Sequence, residues 1–399
     1  MILTKPKNIF QFLLFILVIS SCNKKDAVEL SDAELPKNVL PKMKPVSNES
    51  PKLTTEYILK TKNKIDSFYN KNWPHNSENG GFLVAKNGQI LYERYNGFAN
   101  FNNKTLIDKN TSLHIASVSK VLTATAILKL INAKKMDLDQ KVNTILKEFP
   151  YPEITIRTLL NHRSGMRNYS YFTDKKEIWD KHKTLTNQDL LNLMVTKNID
   201  LEYKTDTHFS YCNTNYAMLA LIIEKITGLS YKVAMKRIIF EPLNMKDTYV
   251  FDYEKDKKTA FPSYKGNWMQ IGLDYLDAIY GDKNIYSTPR DLLKFDRARS
   301  GSSFLDPKLL NQIYIGYSNE HKGTRNYGLG IRMIKWETGK EFYYHNGWWH
   351  GSTSSYIPLR KENVTIIALS NKFTKSTYNV RKLSALFGAY PFKLEYGGE

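Results

Sequence analysis

Ser117 and Lys120 place a potential nucleophile and a potential base one helical turn apart. A serine hydroxyl is a weak nucleophile at neutral pH unless a neighbouring base accepts its proton, and Lys120, among apolar neighbours, is a candidate for that base. At the start of a helix, Ser117 would also lie among free backbone N–H groups that can stabilise an oxyanion. The alternative is a helix-capping serine followed by a solvated lysine. The same spacing recurs at Ser21 and Lys24, so the motif needs support from other residues.

Tyr211 and Asn213 lie in a loop just before a helix predicted over Ala217–Ile226. A tyrosinate here could relay the serine proton to a leaving group, and the Asn213 amide could bond a substrate carbonyl and order Lys120. The alternative is a half-buried tyrosine beside a helix-capping asparagine. The same Tyr-x-Asn pattern recurs at residues 317–319, in a polar stretch between a predicted helix and a predicted strand, so the first copy has the better setting.

A third group, His345, Asn346 and Gly347, ends a predicted strand and is followed by Trp348 and Trp349. Glycine on a strand edge lets a ligand approach the backbone closely. A substrate lying along that edge would pair with it as an added strand, and His345 would close the cleft opposite the serine. The two tryptophans would form walls of the pocket.

Two further histidines, His350 and His162, need a separate interpretation. His345 and His350 could form a metal pair, but no carboxylate or third histidine lies at ligand spacing beside them in the sequence. We therefore expect no metal and no other cofactor. His162 is expected to pack near the site rather than to react.

Hydrophobic periodicity predicts the elements that must position these residues. A strong hairpin signal is Asn87-Gly88 between two apolar runs. The predicted helices cover Leu53–Tyr69, Ser117–Ile131, Asp189–Val195, Asn215–Ile226, Tyr231–Ile239 and Tyr378–Phe387. The predicted strands cover Gly81–Ala85, Ile90–Tyr92, Tyr327–Trp336, Glu341–His345, Ser354–Leu359 and Val364–Ser370.

The order of strands, then helices, then strands predicts a single α/β (α+β) unit with one shared sheet flanked by helices. A mainly helical subdomain is inserted at about residues 135–285. The domain is expected to cover residues 56–392, with a short tail at 393–399 and a cleft where the two lobes meet.

The N-terminus has the pattern of an exported lipoprotein. Lys5 and Lys7 precede the apolar run Ile9–Ile19, which has the length of a signal-peptide core and is short for a membrane span. The run ends in Ile-Ser-Ser-Cys, which resembles the bacterial lipobox, so residues 1–21 are predicted to be removed and Cys22 to carry the lipid. The polar, proline-containing residues 22–55 are predicted to be a flexible tether between the membrane and the domain.

The formal net charge is +19, from 58 Lys and Arg against 39 Asp and Glu. The lysines are scattered among acids and asparagines, with no basic helix or aromatic stripe, so we expect no nucleic-acid partner. A basic exported surface can favour contact with anionic lipids or wall polymers. The expected partners are a small-molecule or peptide substrate and, through the anchor, a lipid membrane of the bacterial cell envelope.

Taken together and in this order, the three motifs resemble those of the serine β-lactamase and penicillin-binding-protein superfamily. The branch is that of class C β-lactamases, D-alanyl-D-alanine carboxypeptidases and related esterases, whose second motif is Tyr-x-Asn. The similarity covers nearly the whole mature domain, because residues 138–142, 156–165 and 285–292 resemble its connecting segments. The resemblance implies a β-lactamase/transpeptidase-like fold with an antiparallel sheet.

The resemblance also implies roles for individual residues. Ser117 would be acylated, Lys120 and Tyr211 would share general acid and base duty, and Asn213 would position the substrate. The backbone N–H groups of Ser117 and Trp348 would form the oxyanion hole. These roles define a serine hydrolase acting through an acyl-enzyme on an amide, peptide or ester in the envelope; the alternative is a non-catalytic lipoprotein that binds wall peptide or a partner protein.

One departure bears on the substrate. Many β-lactamases carry lysine and a threonine or serine in the third motif, where this chain has His345 and Asn346. A histidine is only partly charged near neutral pH, so the grip on a substrate carboxylate is expected to be weaker. Efficient β-lactam hydrolysis is therefore not expected.

Overall fold

The computed structural model describes residues 40–46, 50–321 and 323–394. Within these ranges no helix is long and apolar enough to cross a membrane. The predicted signal segment, the Cys22 lipid anchor and most of the predicted C-terminal tail lie outside the described residues.

The described chain contains eleven α-helices, of which α1, α2, α6 and α9 are the longest. They are Thr55–Asn72 (α1), Ser119–Asn132 (α2), Ile156–Leu160 (α3), Tyr169–Phe172 (α4), Asn187–Thr196 (α5), Asn213–Thr227 (α6), Tyr231–Met235 (α7), Tyr253–Asp256 (α8), Pro289–Ser300 (α9), Pro307–Ile313 (α10) and Ser376–Asn379 (α11). Short 3₁₀-helices cover Pro74–Asn76, Ala116–Val118, Val142–Thr144 and Val380–Leu386, and a π-helical turn covers Lys236–Phe240.

The fourteen strands of the described chain form one large sheet and several short ribbons. They are Gly80–Lys86 (β1), Gln89–Asn96 (β2), Phe98–Asn100 (β3), Thr105–Leu106 (β4), Leu113–His114 (β5), Tyr249–Val250 (β6), Ser263–Tyr264 (β7), Gln270–Ile271 (β8), Ile285–Ser287 (β9), Arg325–Tyr327 (β10), Arg332–Lys335 (β11), Glu341–Trp349 (β12), Ser352–Leu359 (β13) and Val364–Ser370 (β14). The large sheet is antiparallel, with the order β10-β11-β12-β13-β14-β1-β2. Strands from both ends of the chain therefore share one sheet, as predicted.

Strand β12 has two halves with different neighbours. Its first half pairs with β11 as far as Tyr344, which lies opposite Arg332. Its second half, from His345 to Trp349, pairs with β13 on the other side. Because the β11 pairing stops at Tyr344, the second half of β12 presents an open strand edge that a peptide-like ligand could extend.

The helices cover both faces of the sheet. On one face α1 and the C-terminal segment enclose an aromatic core that includes Tyr69, Phe82 and Phe342. On the other face α9 packs against β1 and β14. Helix α2 packs on α6 and is buried along almost its whole length, because its residues from Ser119 to Leu130 are mostly apolar or small. The serine motif therefore starts a helix that is fixed from all sides.

The predicted pattern of elements is confirmed in outline, with two differences among the C-terminal strands and one in the last helix. The helix predicted over Tyr378–Phe387 is mostly the 3₁₀-helix Val380–Leu386, which follows the short α11. The run Tyr327–Trp336, predicted as a single strand, is two short strands separated by a turn. In that turn the Gly328 N–H donates to the Ile331 carbonyl over 2.8 Å, and Gly330 has φ +80°, which glycine adopts readily. The strand predicted over Glu341–His345 continues to Trp349. Both strand differences help to create the open edge.

Part of the predicted tether is packed on the domain. The Met43 side chain is only 2% exposed, and its backbone N–H donates to the Ile238 carbonyl over 2.8 Å. Residues 40–46 therefore contact the domain, because the apolar side chain of Met43 buries itself there between two exposed lysines. The domain thus begins before α1.

Candidate active site

Ser117 lies in the short 3₁₀-helix that runs directly into α2. One turn later, Lys120 is fully buried, and its Nζ donates to Ser117 Oγ over 3.2 Å and to the Asp282 carbonyl over 2.8 Å. The structure thus brings the two residues of the first motif into contact. The Asp282 carbonyl fixes the lysine, a role that the sequence had suggested for Asn213.

Tyr211 is the second titratable group beside the serine. Lys120 Nζ lies 5.1 Å from the centroid of the Tyr211 ring, and the Arg332 guanidinium carbon lies 4.5 Å from the same centroid. Burial alone would raise the pKa of Tyr211, but the charges of Lys120 and Arg332 and the nearby Ser117 hydroxyl outweigh burial and lower the pKa below that of an ordinary tyrosine. A tyrosine with a lowered pKa can accept the serine proton.

Two polar atoms of the second motif have no partner in the described structure. The Tyr211 hydroxyl is buried and, although Ser117 and Lys120 lie close enough to lower its pKa, neither makes a hydrogen bond of good geometry with it. The side-chain oxygen of Asn213, on the first turn of α6, is also buried and unpaired. Buried polar atoms are nearly always satisfied in proteins, so these two atoms are suited to contact a substrate or water.

His345 differs from the expectation in its charge. Its Nδ1 lies 2.9 Å from the Asn346 carbonyl oxygen, which can only accept, so Nδ1 carries a proton. In the neutral ring Nε2 then accepts from the Tyr327 hydroxyl, which lies 3.1 Å from it. Complete burial, followed by the charges of Arg332 and Lys120, lowers the pKa of His345 well below its ordinary value. The expectation of a partly charged histidine was wrong, because the opposing cations come from other elements of the fold.

Gly347 brings the strand edge against the nucleophile. A Cβ atom added to it would lie 2.8 Å from the Ser117 backbone nitrogen and 2.6 Å from the Ile115 carbonyl oxygen. The Tyr378 hydroxyl donates to the Gly347 carbonyl over 3.0 Å and holds the strand there. Only glycine permits so close an approach, and it sets the next residue, Trp348, beside the predicted oxyanion site.

Alternation along β12 divides the remaining predicted residues between its two faces. His345, Gly347 and Trp349 share the face toward the serine helix. Asn346 and Trp348 share the other face, where Asn346 accepts a hydrogen bond from Ser355 over 3.0 Å and Trp348 is 62% exposed. Of the two tryptophans, Trp348 is the more exposed, whereas Trp349 is partly buried and lines a cavity beside His350.

The metal pair considered from the sequence does not form. His345 contacts Tyr327, whereas His350 lies 2.9 Å from Asp277, which also accepts from the Trp349 indole N–H over 2.7 Å. Asp277 was missed from the sequence because it precedes His350 by more than seventy positions. These contacts fix the turn after β12.

Arg332 is the main site residue that sequence reasoning missed. It lies at the first position of β11, where the open edge of β12 begins, and it is only partly buried. Among the described residues no carboxylate forms an ion pair with it. The available signal was an arginine directly between two apolar residues, Ile331 and Met333, of a predicted strand. It borders a cavity of about 500 Å³ lined also by His208, Phe209, Ser318, Glu320, His321, Tyr327 and Tyr344.

His162 packs against the site, as predicted. Its ring centroid lies 4.4 Å from that of Tyr211, and its Nδ1 accepts from the Cys212 backbone N–H over 3.2 Å. Burial, followed by the charge of Lys120, lowers the pKa of His162 well below its ordinary value. It supports the tyrosine loop and does not contact Ser117.

The half-buried serine at a helix start, the lysine and low-pKa tyrosine around it and the open strand edge beside it define a serine hydrolase that forms an acyl-enzyme. Comparison with known proteins agrees, because the beta-lactamase family model matches residues 74–389. This chain therefore belongs to the beta-lactamase family, and it is a serine hydrolase.

Individual relatives show how far the similarity extends. A penicillin-binding protein of Bacillus subtilis is 30% identical over 331 residues, which are 78% of this chain and 72% of that protein. A D-aminopeptidase of Brucella anthropi is 25% identical over 305 residues, covering 73% of this chain and 56% of that protein. The crystal structure of a penicillin-binding protein from Bacillus halodurans superimposes with a TM-score of 0.70 at 22% identity, covering 79% of this chain and 98% of the other. The predicted β-lactamase/transpeptidase-like fold is confirmed.

Proposed function

We propose that this protein hydrolyses an amide, peptide or ester bond in the cell envelope, and that its preferred substrates are short peptides with a free carboxylate. The observation that carries the proposal is the open edge of β12, which has the nucleophile Ser117 along it and the cation Arg332 at its start. The relatives named penicillin-binding protein and D-aminopeptidase support peptides containing D-amino acids as the substrate class.

The reaction follows from the contacts around Ser117. Its Oγ attacks the substrate carbonyl carbon while its proton passes to Tyr211, with Lys120 stabilising the tyrosinate. The carbonyl oxygen takes up the negative charge beside the N–H groups of Ser117 and Trp348. The bond to the leaving group breaks as that group receives the proton, and water then hydrolyses the acyl-serine with the same groups.

Arg332 supplies the charge that the third motif lacks. His345 is neutral, so it cannot hold a carboxylate by charge. Arg332 pairs in register with Tyr344 at the start of the open edge, and its guanidinium carbon reaches to 4.5 Å from the centroid of the Tyr211 ring. A guanidinium forms two parallel hydrogen bonds with a carboxylate, and here no protein carboxylate of the described chain competes for it.

The first experiment compares two substrates that differ only at the carboxylate. An acyl-D-alanyl-D-alanine peptide and its C-terminal carboxamide are assayed with wild type, Ser117→Ala and Arg332→Gln. We expect wild type to prefer the carboxylate, Arg332→Gln to lose most of this preference through KM, and Ser117→Ala to be inactive. A cephalosporin and a simple ester complete the panel.

Two results would contradict the proposal in different ways. Equal labelling of wild type and Ser117→Ala by a fluorophosphonate probe would remove the acyl-enzyme and favour a non-catalytic binding protein. Equal kcat/KM for peptide and carboxamide, with turnover intact, would remove the carboxylate preference but keep the hydrolase.

The location of the protein is part of the same proposal. The charged start, the apolar run and the sequence before Cys22 support export and lipid attachment at that cysteine. Incorporation of labelled palmitate by wild type but not by Cys22→Ala is the expected result. Release of the unaltered wild-type chain in soluble form would contradict it.

A further inference from the structure

The residue before the nucleophile has a backbone conformation that needs support. Ala116 has φ +46°, in the left-handed region that residues other than glycine rarely adopt. It is completely buried, and the Ser117 backbone that follows it lies against Gly347. Such a conformation persists only where surrounding contacts hold it, and any relaxation would move the Ser117 side chain.

His114 makes the side-chain contact that holds this conformation. The Ala116 backbone N–H donates to His114 Nδ1 over 3.2 Å. On the other edge of the ring, Nε2 lies 3.1 Å from the side-chain oxygen of Asn284. Because Nδ1 accepts a hydrogen bond, Nε2 must carry the ring proton and donate it to Asn284.

Asn284 is itself fixed, so the ring cannot easily turn. Its side-chain nitrogen donates to the carbonyls of Asp277 over 2.6 Å and of Ile279 over 2.8 Å, which settles the orientation of its amide. The Tyr286 ring meets the His114 ring edge to face, with centroids 5.0 Å apart. The tautomer of His114 therefore follows from its two hydrogen bonds, with the Ala116 N–H and with an Asn284 amide of fixed orientation, and the Tyr286 ring packs against it.

The neutral form needed for this contact is also the form that the surroundings favour. His114 is buried, and burial lowers its pKa to about 4; Asn284 and Asp277 act in the opposite direction, while His350 and Lys283 add to the lowering. At neutral pH the Nδ1 lone pair is available to accept the Ala116 N–H.

We propose that His114 is a positioning residue for the acylation of Ser117, because its Nδ1 fixes the left-handed Ala116 and so directs the serine hydroxyl toward Lys120 and Tyr211. The inference rests on the proposed acyl-enzyme reaction. His114 does not touch the substrate, and its effect passes through the backbone of Ala116.

Two substitutions separate the two edges of the ring. His114→Asn places an amide oxygen near the position of Nδ1 and keeps an acceptor for the Ala116 N–H. His114→Gln reaches the position of Nε2 and keeps the contact with Asn284, but it loses that acceptor. Both remove the aromatic ring, so loss of packing is common to the pair and only the acceptor differs.

The measurement is the rate at which a fluorophosphonate probe labels Ser117 in the full chain, resolved into a maximal rate constant and a half-saturating concentration. We expect the maximal rate to fall about a hundredfold in His114→Gln, as for a comparable misplacement of a reacting group, and by less than about tenfold in His114→Asn. The half-saturating concentration should stay near that of wild type in both, since neither change touches the open strand edge.

The outcomes distinguish this inference from the proposed function. Wild type that is labelled no faster than Ser117→Ala contradicts the proposed reaction itself. A labelled wild type with equal rates for the two His114 variants overturns the role of His114. If the variants do not fold, amide hydrogen exchange in wild type decides the question. The reference is the Val118 N–H, which donates to the Ile115 carbonyl over 3.1 Å. If the Ala116 N–H exchanges much faster than the Val118 N–H, the role of His114 is also overturned.

Discussion

Replacing Gly347 by alanine tests whether the strand edge and the nucleophile are held together as the structure shows. The added Cβ would lie 2.8 Å from the Ser117 nitrogen, 2.6 Å from the Ile115 carbonyl oxygen and 2.4 Å from Ser354 Oγ. Ordinary contacts of a methyl carbon begin near 3.4 Å, so the strand and the serine backbone must separate by about half an ångström or more. The Ser354 hydroxyl cannot move freely, because it donates to the Ile115 carbonyl over 2.6 Å.

Two effects of Gly347→Ala follow from this separation. Overpacking at one site costs about 1–3 kcal/mol of unfolding free energy, so the variant should still fold. Displacement of the Ser117 N–H from the oxyanion site and of its hydroxyl from Lys120 should slow acylation about a hundredfold or more. Chemical denaturation measures the first effect, and stopped-flow labelling with a fluorophosphonate probe measures the second.

Gly351→Ala is the matched control. Gly351 follows the same strand, and a Cβ there would lie 2.1 Å from the Tyr264 carbonyl oxygen. The alanine variant would therefore be overpacked at a place that does not touch the serine motif. We expect it to lose comparable stability and to keep most of the acylation rate. If Gly347→Ala is labelled as fast as Gly351→Ala, the close approach of β12 to Ser117 has no role in the reaction, and the reasoning fails.

Three further predictions test other parts of the structure. Tyr211→Phe should lower kcat by about two to four orders of magnitude, as for loss of a general base, and an unchanged kcat would remove Tyr211 from the mechanism. Activity should fall as pH drops through the lowered pKa of Tyr211, because the protonated tyrosine cannot accept the serine proton. Arg332→Gln removes a cation and raises that pKa, so the acidic limb of the pH–rate profile should move to higher pH. Met43→Ala should cost about 2 kcal/mol in chemical denaturation, whereas the exposed neighbour change Lys42→Ala should cost little, and equal effects would mean that Met43 is not docked.

The parts of the fold that the sequence predicted are those in which local pattern and tertiary packing agree. The hairpin at Asn87-Gly88, the helix after Ser117 and the strand Val364–Ser370 all carry a clear period and clear boundaries. The run Tyr327–Trp336 was predicted as one strand because its apolar residues are continuous, whereas the break depends on a turn at Gly330. Composition alone does not distinguish a long strand from two short ones joined by a tight turn.

The candidate site was predictable as a set of motifs but not as an electrostatic unit. Ser117, Lys120 and Tyr211 could be chosen because each has its residue type at a recognisable spacing. The charge state of His345 could not, because it depends on burial and on cations from α2 and β11. For the same reason the contact between Lys120 and the Asp282 carbonyl, more than 160 positions away, could not be predicted.

The position of Arg332 changes what the histidine in the third motif implies. From the sequence, loss of a lysine on β12 meant a weaker grip on anionic substrates. In the structure a cation stands one strand away, beside Tyr211 and at the start of the open edge. There it can bind a carboxylate and lower the pKa of the tyrosine at the same time, so the two effects are coupled. A bound carboxylate would neutralise Arg332 and raise the basicity of Tyr211 when the substrate arrives, which favours acceptance of the serine proton in the complex over the free enzyme.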